Sequence, residues 1–144
     1  MSHDQSYLFT IDNKGILKQW LVEDGELVND WGPIHDGLRF IATLTPNGVF
    51  IFTGDEHGYL KQWIIETGQI YQNWGRIQDL SIVSMAVTID SNYFFSSECE
   101  NLKMWNISGM RLEKNYGTCH QGYITGLCMT PDGEYLLTSD NKGY

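Results

Sequence analysis

The side chains best equipped for chemistry are the histidines His35, His57 and His120 and the thiols Cys99, Cys119 and Cys128. A zinc site wants two pairs of such ligands, each closely spaced. Cys119-His120 is the only adjacent pair among these residues, and no second pair accompanies it. Carboxylates are more numerous, but many recur in short turns: Asp12-Asn-Lys-Gly15, Asp55-Glu-His-Gly58 and Asp140-Asn-Lys-Gly143. These read as β-turns with glycine where φ is positive. They lack the oxygen-rich loop of roughly 12 residues, closed by a bidentate Glu, that calcium takes. Neither a glycine-rich phosphate loop nor a Ser-centred nucleophile elbow is present. The sequence therefore predicts no catalytic residue, no metal and no cofactor, and a non-enzymatic role.

The turns that exclude calcium belong to an internal repeat. Asp12 to Trp20 reappears as Asp55 to Trp63, 43 residues later, and again as Glu98 to Trp105 after a further 42. Trp31, Trp74 and Tyr116 keep the same period, as do His35, Gln78 and His120. So do the turns Thr45-Pro-Asn-Gly48, Thr88-Ile-Asp-Ser-Asn92 and Thr130-Pro-Asp-Gly133. The units run at about 7–34, 35–77, 78–119 and 120–144.

Within one unit the residues read as short strands. Leu38 to Leu44 is a mostly apolar run stopped by a Pro-Asn-Gly turn. Val49 to Thr53 is β-branched and aromatic, a buried-strand composition. Tyr59 to Ile65 follows, and Gln69 to Trp74 is a more polar, more exposed fourth strand. Four strands in about 43 residues suit a β-propeller blade and not a helical repeat. The predicted fold is all-β, with blades of four antiparallel strands.

Composition sets the wider bounds. The chain has 144 residues and a formal charge of −9, which argues against nucleic acid as a partner. No apolar run reaches the roughly 18 residues of a membrane span. The start, MSHDQS, lacks the basic and apolar stretches of a secretory signal, and three irregularly spaced cysteines suit reduced thiols. A cytoplasmic location is expected.

The repeat resembles the WD-repeat family of β-propellers over roughly residues 7–144. The best unit supplies His35, Thr45-Pro-Asn-Gly48, Thr53 and Trp63 in the family's order, and the last supplies His120, Thr130-Pro-Asp-Gly133 and Thr138. The resemblance implies a structural hydrogen-bond relay of His, Ser/Thr, Asp and Trp. Its members would be His35, Thr53, Asp55 and Trp63, with Trp20, Trp105, His120 and Thr138 at equivalent positions. There are departures. Leu21, Ile64 and Asn106 follow the Trp in place of Asp, and Gln19 and Gln62 precede it. The turn aspartate six residues before the Trp is replaced by Lys14, His57 and Cys99, while Asp12 and Asp55 stand eight before it. Trp31, Trp74 and Tyr116, on the fourth strands, are candidates to face a partner.

The resemblance implies an interaction platform for a protein partner, and the acidic balance favours one with a basic segment. The alternative is an assembly component. At this period the chain holds about 3.3 blades, where propellers close with four to eight. The count is the last three strands of one unit, two whole units and the first two strands of a fourth. The open edges would pair with another copy or with missing blades of a longer chain, of which this would be a fragment. Tyr7–Ile16 and Tyr135–Tyr144 are near-duplicates, so either could fill the same place in a blade.

Overall fold

Alternating turns and short β-branched or aromatic runs give thirteen strands and no helix in the computed structural model, which describes residues 6–143. Tyr144, the last residue of the second duplicate, lies outside the described residues, as do the first five. The first sheet has three strands, β1 (Tyr7–Ile11), β2 (Ile16–Leu21) and β3 (Leu27–Pro33). The second has four, β4 (Phe40–Leu44), β5 (Phe50–Asp55), β6 (Tyr59–Ile64) and β7 (Ile70–Arg76). The third also has four, β8 (Met85–Val87), β9 (Tyr93–Glu98), β10 (Asn101–Asn106) and β11 (Arg111–Thr118). The last sheet pairs β12 (Ile124–Met129) with β13 (Leu136–Asp140). Every pairing is antiparallel and between neighbours in sequence, as in propeller blades.

The second and third blades are each covered on both faces by their neighbours, so their second strands, β5 and β9, are apolar on both sides. Leu17, Ile34, Ile51, Trp63 and Ile65 fill the junction between the first and second blades. Phe52, Leu60, Ile82, Met85, Phe94 and Trp105 fill the next, with Phe52 and Phe94 ring centroids 5.1 Å apart. Phe95, Leu102 and Ile124 form the third junction. The innermost strands β4, β8 and β12 sit side by side, and β1 meets β4 directly.

Two irregularities recur. Each third-to-fourth strand pairing shifts register around the Lys and again before the Trp, at Leu60/Lys61 and Gln62/Trp63 and at the corresponding places in the other two blades. Such bulges add local twist to the outer hairpin. Each crossover also passes close over a turn of the blade it leaves. A Cβ on Gly58 would lie 2.1 Å from the Gln78 carbonyl oxygen, and φ there is +82°.

The ring is not closed. Leu8 and Leu137 hold the register of the fully buried Ile51 and Phe52, yet are 44% and 59% exposed. The differences from the predicted strands are local, mostly one or two residues at the ends. The first strand of the second unit begins at Phe40 and not Leu38, because the Leu38 N–H is taken by Glu56 Oε1 at 2.9 Å and not by a ladder partner. The corresponding strand of the third unit shrinks to Met85–Val87.

Candidate functional site

Each crossover brings one polar side chain to the next blade's second strand. In the second blade His35 Nδ1 lies 3.1 Å from Asp55 Oδ2, and Nε2 lies 2.9 Å from Thr53 Oγ1. Trp63 Nε1–H donates to the same Thr53 oxygen at 2.8 Å. The carboxylate only accepts, so Nδ1 carries the proton and Nε2 accepts from the hydroxyl. Burial lowers the His35 pKa, and Lys61 adds to this against the opposing pull of Asp55. Asp55 Oδ1 meanwhile accepts the N–H groups of His57 and Tyr59, both at 2.9 Å. The aspartate eight residues before the Trp thus serves both the turn and the histidine. His57, six before, is an exposed turn residue.

The other units carry variants of this network. His120 contacts Asp140 at 3.1 Å and Thr138 at 2.7 Å. No indole completes that set among the described residues. In the first unit Trp20 donates to Thr10 at 2.8 Å, with Asp12 in the turn accepting from Lys14 and Ile16 N–H, and no histidine among the described residues joins them. In the third, Trp105 donates to Ser96 at 2.8 Å, and Ser96 donates to Gln78. Glu98, in register with Asp55, pairs with Lys103 at 2.7 Å. Burial raises the Glu98 pKa, but hydrogen bonds from Lys103 and the Leu80 N–H outweigh it and leave the carboxyl below its ordinary value.

These networks take up His35, Thr53, Asp55, Trp63, Trp20, Trp105, His120 and Thr138, and their partners lie within the fold. Trp31 and Trp74 are half-buried, with their rings turned towards the neighbouring blade. Trp74 packs edge-on to Phe52 and Phe94 and donates to Gln62 Oε1 at 3.2 Å. Trp31 stacks on Trp63 at 6.5 Å and leans on Phe9. Long fourth-strand rings reach across to the neighbouring blade, which the alternating polar pattern of β3 and β7 did not reveal. Tyr116 alone of the three is exposed, near Phe95 and Met104. Among the described residues no three His, Cys, Asp or Glu side chains gather as a metal would require.

A different set reaches solvent. Just past each relay residue, the crossover projects an apolar side chain: Leu38, 75% exposed, Leu80 and Tyr123. Each is braced through its own backbone N–H, which donates to Glu56, Glu98 and Asn141 at 2.9, 2.7 and 3.0 Å. Exposed Asp36 and Asp79 flank the first two. A cleft of about 300 Å³ opens beside the first brace, lined by His35, Asp36, Asp55, His57, Tyr59, Lys61 and Asn73. Sequence reasoning missed this array. Its signal was an apolar residue two or three positions after each His or Gln, absorbed into the predicted strand at Leu38.

A search of curated proteins finds no match to the chain. Residues 113–143 match the family model described as WD domain, G-beta repeat. They take in most of β11 and all of β12 and β13, including the His120, Thr138 and Asp140 set. The preceding blades repeat the antiparallel strand pattern and carry variants of the polar network, an all-β arrangement consistent with blades of the same kind.

Proposed function

We propose that the chain is a non-enzymatic platform for protein recognition, working through the braced apolar tips Leu38, Leu80 and Tyr123. One observation carries the reading: three exposed apolar residues on successive crossovers are each held by a side chain from the following turn. Holding loops in place before binding removes part of the ordering cost. Water-facing apolar side chains on a rigid scaffold suit a partner with apolar side chains of its own. Asp36, Asp79 and the net charge of −9 favour basic residues between them. The partner is an extended segment alternating basic and apolar residues, met in a reducing, cytoplasmic setting.

Fluorescence polarisation with labelled peptides tests this. Lys/Leu-alternating peptides should bind more tightly than Glu/Leu peptides, and less tightly as salt rises. Leu38→Ser with Tyr123→Ser should weaken binding about tenfold or more while leaving the unfolding midpoint unchanged. Equal binding of both peptide classes, or an unaffected variant, would remove the basis for the platform.

A second reading is favoured by the bared residues Leu8 and Leu137. Positions buried by a neighbouring blade inside the chain are open at its two end blades. On this reading the end blades are covered by further blades of the same kind, as an assembly component requires.

A further inference from the structure

β2, β6 and β10 carry lysines at matching positions, Lys18, Lys61 and Lys103, each two residues before the Trp. Two of the three are neutralised. Lys18 pairs at 3.5 Å with Asp30, its register partner on β3, and Lys103 pairs at 2.7 Å with Glu98. Lys61 has neither acid. Its register partner on β7 is Asn73, and Asp55, in the register of Glu98, is held by His35 and by the N–H groups of His57 and Tyr59. The Lys61 ammonium donates to the Ile34 carbonyl, and it makes no ion pair among the described residues.

That ammonium lines the cleft of about 300 Å³ on the second blade, together with Asn73, Tyr59, Asp36 and the His35–Asp55 pair. Hydrogen-bond donors are in excess there. An ammonium has three N–H groups, and the Ile34 carbonyl takes one. Asn73 accepts the Gly75 N–H through Oδ1 at 2.9 Å, and its NH2 group has no acceptor among the described residues. The acceptors are already engaged: Asp55 takes three N–H groups, and His35 Nε2 takes the Thr53 hydroxyl. Such a wall suits a ligand that accepts hydrogen bonds and carries negative charge. One charge fits better than two, because Asp36 and Asp55 would repel a dianion.

We infer that the cleft binds a carboxylate, the side chain of one Asp or Glu in the partner segment, through Lys61 and Asn73. This rests on the recognition reading above and names a residue that the segment must carry among its basic and apolar ones. Without that acid, Lys61 repels a wholly basic partner, so the same side chain selects against the wrong sequence. Asp36, exposed at the cleft and in no ion pair among the described residues, suits a basic residue beside the acid. Lys18 and Lys103 offer no equivalent site, since each already holds a carboxylate of its own.

Fluorescence polarisation tests this with Lys/Leu-alternating peptides in which one Lys at a time is replaced by Glu or by Gln. At one position the Glu peptide should bind about tenfold more tightly than its Gln counterpart. Lys61→Met keeps the aliphatic stem and should remove that preference. Asn73→Asp should remove it as well, by giving Lys61 the carboxylate that Lys18 has. It retains an acceptor for the Gly75 N–H, just as Asp30 serves Gly32. Both variants should still bind the Gln peptide. Equal binding of Glu and Gln peptides at every position would overturn the carboxylate site and leave the platform intact. So would a Glu preference that survives in both variants. If no peptide binds at all, the platform falls and the site with it.

Discussion

Glu98 and Lys103 are joined at 2.7 Å, both largely shielded from water, in the register where the second and fourth blades set an aspartate against a histidine. The third blade has glutamine in place of that histidine, and Gln78 is satisfied by Ser96 and the Ser97 carbonyl. The acid, released from the histidine, is a residue longer in reach by one methylene. It binds a lysine on the adjoining strand and braces Leu80 instead.

Lys103→Met keeps the aliphatic stem and leaves that carboxylate without its cation. The expected loss is about 1–2 kcal/mol, below that for a fully buried pair because water still reaches the ammonium. Glu98 is held below its ordinary 4.5, so its contribution is complete above that pH and fades as pH falls through the folded value. Urea midpoints at pH 7 and pH 4 should therefore differ more for the parent protein than for Lys103→Met.

His35 adds a second pH dependence on the acid side, nearer neutrality than that of Glu98. Its pKa is lowered by burial, so the unfolded chain takes up a proton first as pH falls below 6.5. Stability contributed by the neutral ring is complete above that value and declines on acidification towards the folded pKa. His35→Gln, copying the third blade, should cost about 1 kcal/mol at pH 7.5 and flatten the slope between pH 7 and 5.5. A slope unchanged by the substitution, read from denaturant midpoints, would assign the dependence elsewhere.

Gly58 and Gly25 separate backbone conformation from collision. Both have positive φ, +82° and +74°, but a Cβ on Gly25 meets open space. Gly25→Ala should cost about 1 kcal/mol, the conformational term alone. Gly58→Ala must also displace the Gln78 carbonyl, and a loss of at least about 3 kcal/mol is expected. Thermal unfolding of the two variants compares them directly.

The relay tryptophans should rank by burial. Trp63→Phe keeps a ring in the junction but leaves Thr53, fully buried, without its indole donor. A loss of about 1–3 kcal/mol is expected from the missing hydrogen bond and the smaller ring. Trp20→Phe, whose partner Thr10 is exposed, should cost less than half as much. Equal losses in equilibrium unfolding would mean that packing, not the hydrogen bond, sets the value.

Strand order and turn position were legible because both are local properties. Glycine at φ +82° and the Thr-Pro-Asn-Gly turn are written in adjacent residues, and period-43 copies reinforce each other. Contacts between blades were less so. Nothing in the run Gln69 to Trp74 says that the Trp74 ring crosses to Phe94, since that depends on how two sheets lie together. The braces on Leu38 and Leu80 link residues 18 apart through different side chains, Glu56 and Glu98, that do not share a register.

Adjacent residues in each crossover serve different blades. Ile34 N–H donates to Gly15 O of the first while His35 serves the second, and Ile77 with Gln78, then Cys119 with His120, repeat the arrangement. Every joint is thus made from a unit and its immediate successor, with no distant segment needed. Gene duplication in steps of one unit lengthens such a chain without inventing a contact, because the new joint is a copy of an old one. Growth by whole units is the cheap evolutionary move for this architecture, and a break within a unit the costly one.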